Sequence, residues 1–422
     1  MKTHLLLRAG ALTALLAPTL SHATNGYFQH GYGVRSQGIA GIGVALPQDA
    51  LAAASNPAGT AFLGERVDLG LTWFVPERGA EITGGNLFGA DGKYSGNDRK
   101  HFFIPEFGYL KPLPGNLTAG IAVYGNGGMN TDYARNPFAA FGSTGKAGVN
   151  FEQLFVTPSL AWKISDRHAI GAAVNFAWQR FEAKGLGGFA PASAFPNRLT
   201  NRGTDTSIGW GLRLGWTGQV TDTLTLGASW TSKIKTDGFD RYKGLFAEGG
   251  GFDVPESWSA GAAWKALPAL TLAAELQEIK YSDVDSVGNP LAYLFAGNAL
   301  GSSNGAGFGW RDVTVVKLGA SYDLNPDLTL RVGYSHSDNP IPRRETLFNI
   351  LAPGVVQDHL TFGATWKVTP NGELSLAYAN AFRSTVHGSN SIPPGFPPGF
   401  GGGEANLHLK EDMLGVAWSW KL

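Results

Sequence analysis

The stretch Ser207-Ile-Gly-Trp-Gly-Leu-Arg-Leu-Gly-Trp-Thr217 decides the fold. Successive residues of an extended chain point to opposite sides, so Ile208, Trp210, Leu212, Leu214 and Trp216 share one face. Ser207, Gly209, Gly211, Arg213, Gly215 and Thr217 share the other. The first face suits lipid and the second a polar or tightly filled lumen. The alternation returns from about residue 64 to the C-terminus, for example in Ile170, Val174, Phe176 and Trp178, in Leu328, Leu330, Val332 and Tyr334, and in Leu414, Val416, Trp418, Trp420 and Leu422. A soluble sandwich also alternates, but it has no need of segments of about ten residues closed in turn by a short connection and then a long one. The reading is all-β: a transmembrane antiparallel β-barrel that passes something across an outer membrane.

Six short connections are expected, at 111–116, 165–168, 220–223, 267–270, 325–327 and 370–372. Their proline, asparagine, aspartate and glycine residues end pairing by fixing φ, bonding locally or accepting positive φ. Seven longer loops are expected near 76–98, 131–149, 183–203, 235–253, 285–311, 339–355 and 385–408. Thirteen connections imply 14 strands, an even number that returns both ends of the barrel to the periplasmic side and leaves the long loops outside the cell.

Lys2 and Arg8 precede the apolar run Ala9 to Leu20, and Ser21-His-Ala23 offers small residues for cleavage before Thr24. Residues 1–23 therefore read as a signal peptide. No later segment is long and apolar enough for a spanning helix, so the sheet has to close, because an unpaired backbone group in hydrocarbon costs several kcal/mol. Glycine, at 59 of 422 residues, is about twice its usual share. The absence of cysteine excludes disulfides and thiolate metal sites, and the balance of 33 basic and 33 acidic residues offers no field for nucleic acid.

Residues 24–63 differ from the 64–422 barrel region. They are rich in glycine and alanine, with a short helix expected from Gln48 to Ser55 followed by Asn56-Pro57-Ala58. A barrel of 14 strands would otherwise enclose water, so this segment reads as a plug, or hatch, inside the lumen. A periplasmic extension or linker is the alternative.

With these features in place the chain resembles the FadL-type outer-membrane transporters of long-chain fatty acids and hydrocarbons in Gram-negative cells. The likeness rests on Gly31-Tyr-Gly33 through Gly38-Ile-Ala-Gly-Ile-Gly-Val44, on Asn56-Pro57-Ala58, on Trp310-Arg-Asp312 with Leu318-Gly319 and Leu328 to Tyr334, and on Asp338-Asn-Pro-Ile-Pro342. The resemblance implies a hatch, an apolar site within the barrel, and sideways exit through a gap at a kinked third strand. The matching segment is Thr118 to Asn130. There Gly125, Gly127 and Gly128 weaken pairing and Asn126 can bond local backbone, a pattern that also fits a simple bulge.

Candidate groove residues come from apolar loops: Leu186, Phe189, Phe195 and Leu199 in the third long loop, and Phe239, Leu245, Phe246 and Phe252 in the fourth. Such residues either pack together over the mouth or accept a greasy ligand. The resemblance adds Tyr27 and Phe28, which would enter the inner site. Arg213, Lys317 and Arg331 have lumen parity and are candidates either for gripping a polar head or for pairing with acids such as Glu275 and Glu373. Fatty-acid-binding members are expected to carry a basic residue just before the Trp-Arg-Asp motif. This chain has Asn304-Gly-Ala-Gly-Phe308 there, which leaves neutral hydrocarbons and aromatics open.

The function expected is passive transport of fatty acids or other hydrophobic small molecules, with a general porin for small polar solutes as the alternative. An enzyme is not expected, since the nine histidines form no recognisable pattern with a nucleophile, and neither cofactor nor metal is called for. The partners expected are the substrate, outer-membrane lipid and lipopolysaccharide, and the barrel assembly machinery, with the chain a monomer.

Overall fold

The computed structural model describes residues 25–395 and 399–422. The leader and its cleavage point before Thr24 lie outside the described residues.

Strand β1 (Arg66–Thr83) is followed by a short β2 (Gly92–Ser95), then β3 (Phe102–Leu113), β4 (Leu117–Tyr133), β5 (Ala147–Lys163), β6 (His168–Lys184), β7 (Asp205–Gln219) and β8 (Leu224–Thr231). The second half comprises β9 (Ser257–Leu267), β10 (Leu270–Ile279), β11 (Val313–Asn325), β12 (Leu328–Ser337), β13 (Asp358–Lys367), β14 (Gly372–Val386) and β15 (Glu404–Lys421). Consecutive strands pair antiparallel, except that β2 only flanks β1 and β3 pairs with β1 directly. The sheet closes where β1 meets β15 in register from Arg66 opposite Lys421 to Thr83 opposite Glu404. With β2 set aside this is a closed barrel of 14 strands. Closure leaves no open edge, which is what a spanning sheet in hydrocarbon requires.

The decisive stretch lies on β7 with Ile208, Trp210, Leu212 and Leu214 exposed outward and Ser207, Gly211, Arg213 and Thr217 buried inward. All six short connections fall between neighbouring strands as expected. The long loops after β1, β4, β6 and β14 start later than their sequence limits, and those after β8, β10 and β12 start earlier. At 18 residues, β1 and β15 far exceed the 9 to 11 that cross a bilayer. Alternation continues beyond the membrane because inward residues there pack on the loops, so hydropathy carries no mark of where lipid ends.

Residues from Asn25 to Leu63 lie inside the barrel. The helix expected from Gln48 to Ser55 is a tighter turn, Ala50–Ala54, whose preceding Asp49 accepts the Leu51 amide at 3.0 Å. A second turn, Pro57–Phe62, begins at Asn56, whose side-chain oxygen accepts the Ala58 amide at 3.1 Å.

Wall carboxylates hold this segment by its backbone. Glu106 accepts from Val34 at 2.8 Å, Asp68 from Ala50 at 2.8 Å, and Glu275 from Gly43 and Val44 at 2.9 Å each. These hydrogen bonds stand in for the water the buried amides have lost. Glycine on the wall makes the approach close enough. A Cβ at Gly171 would collide with the Ala58 backbone, and one at Gly215 with the Asn56 side chain.

Candidate functional site

Above this inner segment, the upper half of the barrel is filled by a cluster of apolar side chains from the wall and the long loops. Within it lies a narrow cavity lined by Phe138, Val149, Phe181, Leu186, Phe189, Leu245, Phe246, Ser286, Leu300, Ala306, Gly307, Phe308, Phe348 and Leu351. No charged side chain lines it. The residues come from several separate loops, so the pocket exists only when all of them dock.

A wider groove of about 610 Å³ lies among the loops and is lined by Phe88, Phe141, Pro191, Leu294 and Phe400 together with Phe189. Phe189 thus borders both spaces. Its ring centroid is 5.3 Å from that of Phe138, 5.5 Å from Phe348 and 5.5 Å from Phe400.

Of the ten groove residues expected from sequence, Leu186, Phe189, Leu245 and Phe246 line the inner cavity. Phe239 and Phe252 stand behind it, each against Phe246, with centroids 6.1 and 4.9 Å away. Leu199 is fully buried in the surrounding core, whereas Phe195 is 45% exposed on the outer surface. Tyr27 and Phe28 lie beneath the cavity, and the Tyr27 ring meets Phe151, Phe252, Tyr281 and Trp310. Sequence reading missed Phe138, Phe181, Phe308, Phe348 and Leu351. Phe308 carried a usable signal, since it ends the segment that lacks the expected basic residue.

Arg213, Lys317 and Arg331 do not reach this cavity; each is engaged with the inner segment instead. Arg213 donates to the Ala54 carbonyl and, at 2.8 Å, to Thr231. Lys317 pairs with Glu275 at 2.9 Å, and Arg331 reaches Gln48 at 2.6 Å. Glu373 binds Arg35 and Lys421, both at 2.7 Å. Of the pairings with acids weighed for these three charges, only that of Lys317 with Glu275 is formed; Arg213 and Arg331 meet neutral acceptors.

On one side the wall is incompletely paired. The β3–β4 ladder runs only from Leu113 opposite Leu117 to Phe107 opposite Val123. Beyond it β4 continues to Tyr133 along β5, with a register shift between Gly125 and Gly127, and on its other side it meets the 96–98 segment again at Asp132, whose amide donates to the Gly96 carbonyl at 3.1 Å. Residues Phe102 to Phe107 of β3 turn instead to β1. From the lumen side, the Tyr27 carbonyl accepts the Gly128 amide and the Asn126 carbonyl accepts the Gln29 amide, both at 2.9 Å. Gly127 leaves no room for a side chain, because a Cβ would strike the Tyr27 carbonyl.

Residues 22–392 match the profile of the family described as outer membrane protein transport protein (OMPP1/FadL/TodX). The chain belongs to this family. Its members lie in the Gram-negative outer membrane, in keeping with the closed barrel. A comparison with curated proteins returns no match. Among solved structures, a Pseudomonas aeruginosa FadL homologue superposes with a TM-score of 0.71 at 16% identity, covering 94% of this chain and 99% of the other. The Pseudomonas putida toluene transporter TodX gives 0.67 at 18% identity, covering 93% and 99%. The Ralstonia pickettii toluene transporter TbuX gives 0.63 at 17%, covering 93% and 98%. At these identities the likeness fixes the fold of this family member and leaves its substrate to the residues of its own cavity.

Proposed function

We propose that the protein carries neutral hydrophobic small molecules, single-ring aromatics foremost, across the outer membrane without an energy source. The observation that carries this reading is the lining of the inner cavity. Thirteen of its fourteen residues are apolar or glycine, and Ser286, the exception, already donates to the Gly251 carbonyl. A carboxylate placed there would lose its water with no charged partner, at a cost of several kcal/mol. A hydrocarbon instead gains about 0.8 kcal/mol for every CH₂ it removes from water. Ala306, Gly307 and Phe308 stand where fatty-acid-binding members are expected to carry a basic residue, and all three line the cavity. That toluene transporters occur among the similar folds supports the same class.

The path we infer begins in the outer groove, passes Phe189 into the inner cavity, and leaves sideways at the gap between β3 and β4. Asn56, Pro57 and Ala58 hold the hatch that blocks a direct fall into the periplasm. The test is uptake into proteoliposomes that contain the full chain, with toluene and palmitate offered separately. Toluene uptake well above empty vesicles, with palmitate near background, is the expected result. Palmitate carried as well as toluene would overturn the neutral class.

A further inference from the structure

The wall gap is bounded at both ends. At the lower end it stops where Phe107 of β3 pairs with Val123 of β4. At the upper end residues 96–99, between β2 and β3, form a strap from β1 to β4. The Gly96 amide donates to the Arg78 carbonyl at 3.0 Å, the Asp132 amide to the Gly96 carbonyl at 3.1 Å, and the Asp98 amide to the Asp132 carbonyl at 3.2 Å.

Arg78 ties the same three pieces together through its side chain, which is almost wholly buried. Its Nε donates to the Asn130 carbonyl of β4 at 2.8 Å. One terminal nitrogen donates to the Pro76 carbonyl at 3.0 Å and to the Asn97 side chain at 3.5 Å, and the other to the Arg99 carbonyl at 2.7 Å and to the Asn130 side-chain oxygen. The guanidinium also lies over the Phe102 ring, 5.8 Å from its centroid, at the first residue of β3. All of its hydrogen-bond acceptors are neutral, so no partner carboxylate fixes the charge in place. Behind it, between Phe74, Met129 and Leu409, there is room for about one water molecule. A benzene ring does not pass while this arrangement holds.

We propose that Arg78 and the 96–99 strap are a releasable clasp, and that substrate leaves through the wall only when Arg78 lets go of Asn130. Arginine suits the task because its planar fork reaches β1, the strap and β4 at once, which an ammonium does not. Asn97 and Arg99 of the strap are half-buried. A guanidinium released with the strap therefore has a way outward to water and headgroups, as long basic side chains at membrane interfaces do, instead of into hydrocarbon. Arg78 is thus a positioning residue, which sets the width of the exit without taking part in the inner cavity.

The inference rests on the sideways exit in the proposed function, and the experiment separates the two. The chain has no cysteine, so Met129→Cys places a unique thiol just behind the clasp. In proteoliposomes of the full chain, its rate of reaction with bilayer-dissolved N-phenylmaleimide reports opening without any substrate. Toluene binding and toluene delivery to lipid are measured in parallel without the cysteine. Arg78→Met is expected to raise both labelling and delivery at least about tenfold, the worth of one hydrogen bond to a charged group, at unchanged binding. Arg78→Lys is expected to fall between it and the wild type. Asn97→Asp keeps the acceptor, adds a negative charge beside the guanidinium, and is expected to slow both rates. It also keeps the test readable if Arg78→Met assembles poorly. Rates unchanged in all three variants, or shifted in the same direction by Arg78→Met and Asn97→Asp, would overturn the clasp. So would labelling in the expected order with delivery unaltered. Labelling in that order in a protein that neither binds nor delivers toluene would defeat the proposed function and leave the clasp standing.

Discussion

Glu275 and Lys317 face each other in register on β10 and β11 and meet at 2.9 Å, both almost wholly buried. The other oxygen of that carboxylate holds the amides of Gly43 and Val44, so a single wall residue couples a lumen ion pair to the hatch. Removing one partner of a buried pair costs about 3 to 5 kcal/mol, because the other charge is left in low dielectric. Glu275→Ala is therefore expected to unseat the hatch while the strands, which satisfy one another, still assemble. Planar-bilayer conductance should rise well above the wild type at normal heat-modifiable mobility. Wild-type conductance would separate the pair from hatch seating.

Asn56 offers a second handle on the same seat. Its side-chain nitrogen donates to the Val44 carbonyl at 2.8 Å and to the Trp216 carbonyl at 2.9 Å, tying the hatch to itself and to β7. Asn56→Ala leaves two buried carbonyls short of a donor, about 1 to 3 kcal/mol each. The expected outcome is a smaller rise in conductance than for Glu275→Ala, with reduced toluene uptake at unchanged surface level. Unchanged uptake would count against a locking role.

Phe189 borders both the outer groove and the inner cavity, and rings of Phe138, Phe348 and Phe400 surround it. Truncation to alanine joins the two spaces and removes a well-packed ring, at about 3 to 5 kcal/mol if the loops do not collapse. Phe189→Ala is expected to speed toluene capture and to weaken its retention, both read by stopped-flow binding. Slower capture would mean that the ring attracts the substrate instead of screening the cavity from the groove.

What the sequence revealed and what it withheld follow from range. The alternation on β7 and the Asn325-Pro-Asp327 turn are local, and both are read correctly from a few neighbours. The inner cavity is not local. Phe138, Phe308 and Phe348 are far apart along the chain, and only docking of three loops brings them to one wall. The lumen charges failed for a related reason. Parity placed Arg213 and Arg331 inside, but their partners are the Ala54 carbonyl and Gln48 of a segment whose path no periodicity encodes. The close approach of Gly171 to Ala58 and of Gly215 to Asn56 is non-local in the same way, because the opposing segment is distant in sequence.

His30 makes hatch seating sensitive to acid. Its ring is fully buried and stacked on His359 with centroids 4.5 Å apart, and neither ring nitrogen has a hydrogen-bond partner among the described residues. Burial first, then His359 and Lys317, holds its pKa well below the ordinary value. The unfolded or unseated state therefore binds the proton more readily, so this contribution is complete above about pH 6.5 and is lost as pH falls below it. Asp49 works the other way, since burial and then Asp68 raise its pKa to about 6. The comparison with His30→Gln isolates the histidine. Conductance of the wild type relative to that variant is expected to rise between about pH 7 and pH 5. A flat ratio would remove His30 from the seat.

The exit route depends on the gap beyond Phe107 and Val123. Filling it at Gly127 is an ambiguous test, because any side chain there strikes the Tyr27 carbonyl and displaces the hatch as well. A tether avoids this. The chain has no cysteine, so Phe103→Cys on β3 and Gly128→Cys on β4 give two unique thiols on opposite sides of the gap. A bis-maleimide with a cleavable disulfide spacer then joins strands that share no ladder there. If an apolar molecule leaves through this wall, it passes from cavity to bilayer without meeting water, which spares it about 0.8 kcal/mol per CH₂. The tethered protein is expected to bind toluene as before and to stop delivering it to the lipid, while a single-ended maleimide leaves delivery largely intact. Reduction of the spacer should restore transport. Full delivery with the tether demonstrated by mass spectrometry would reject lateral exit and direct the search to a path past the hatch into the periplasm.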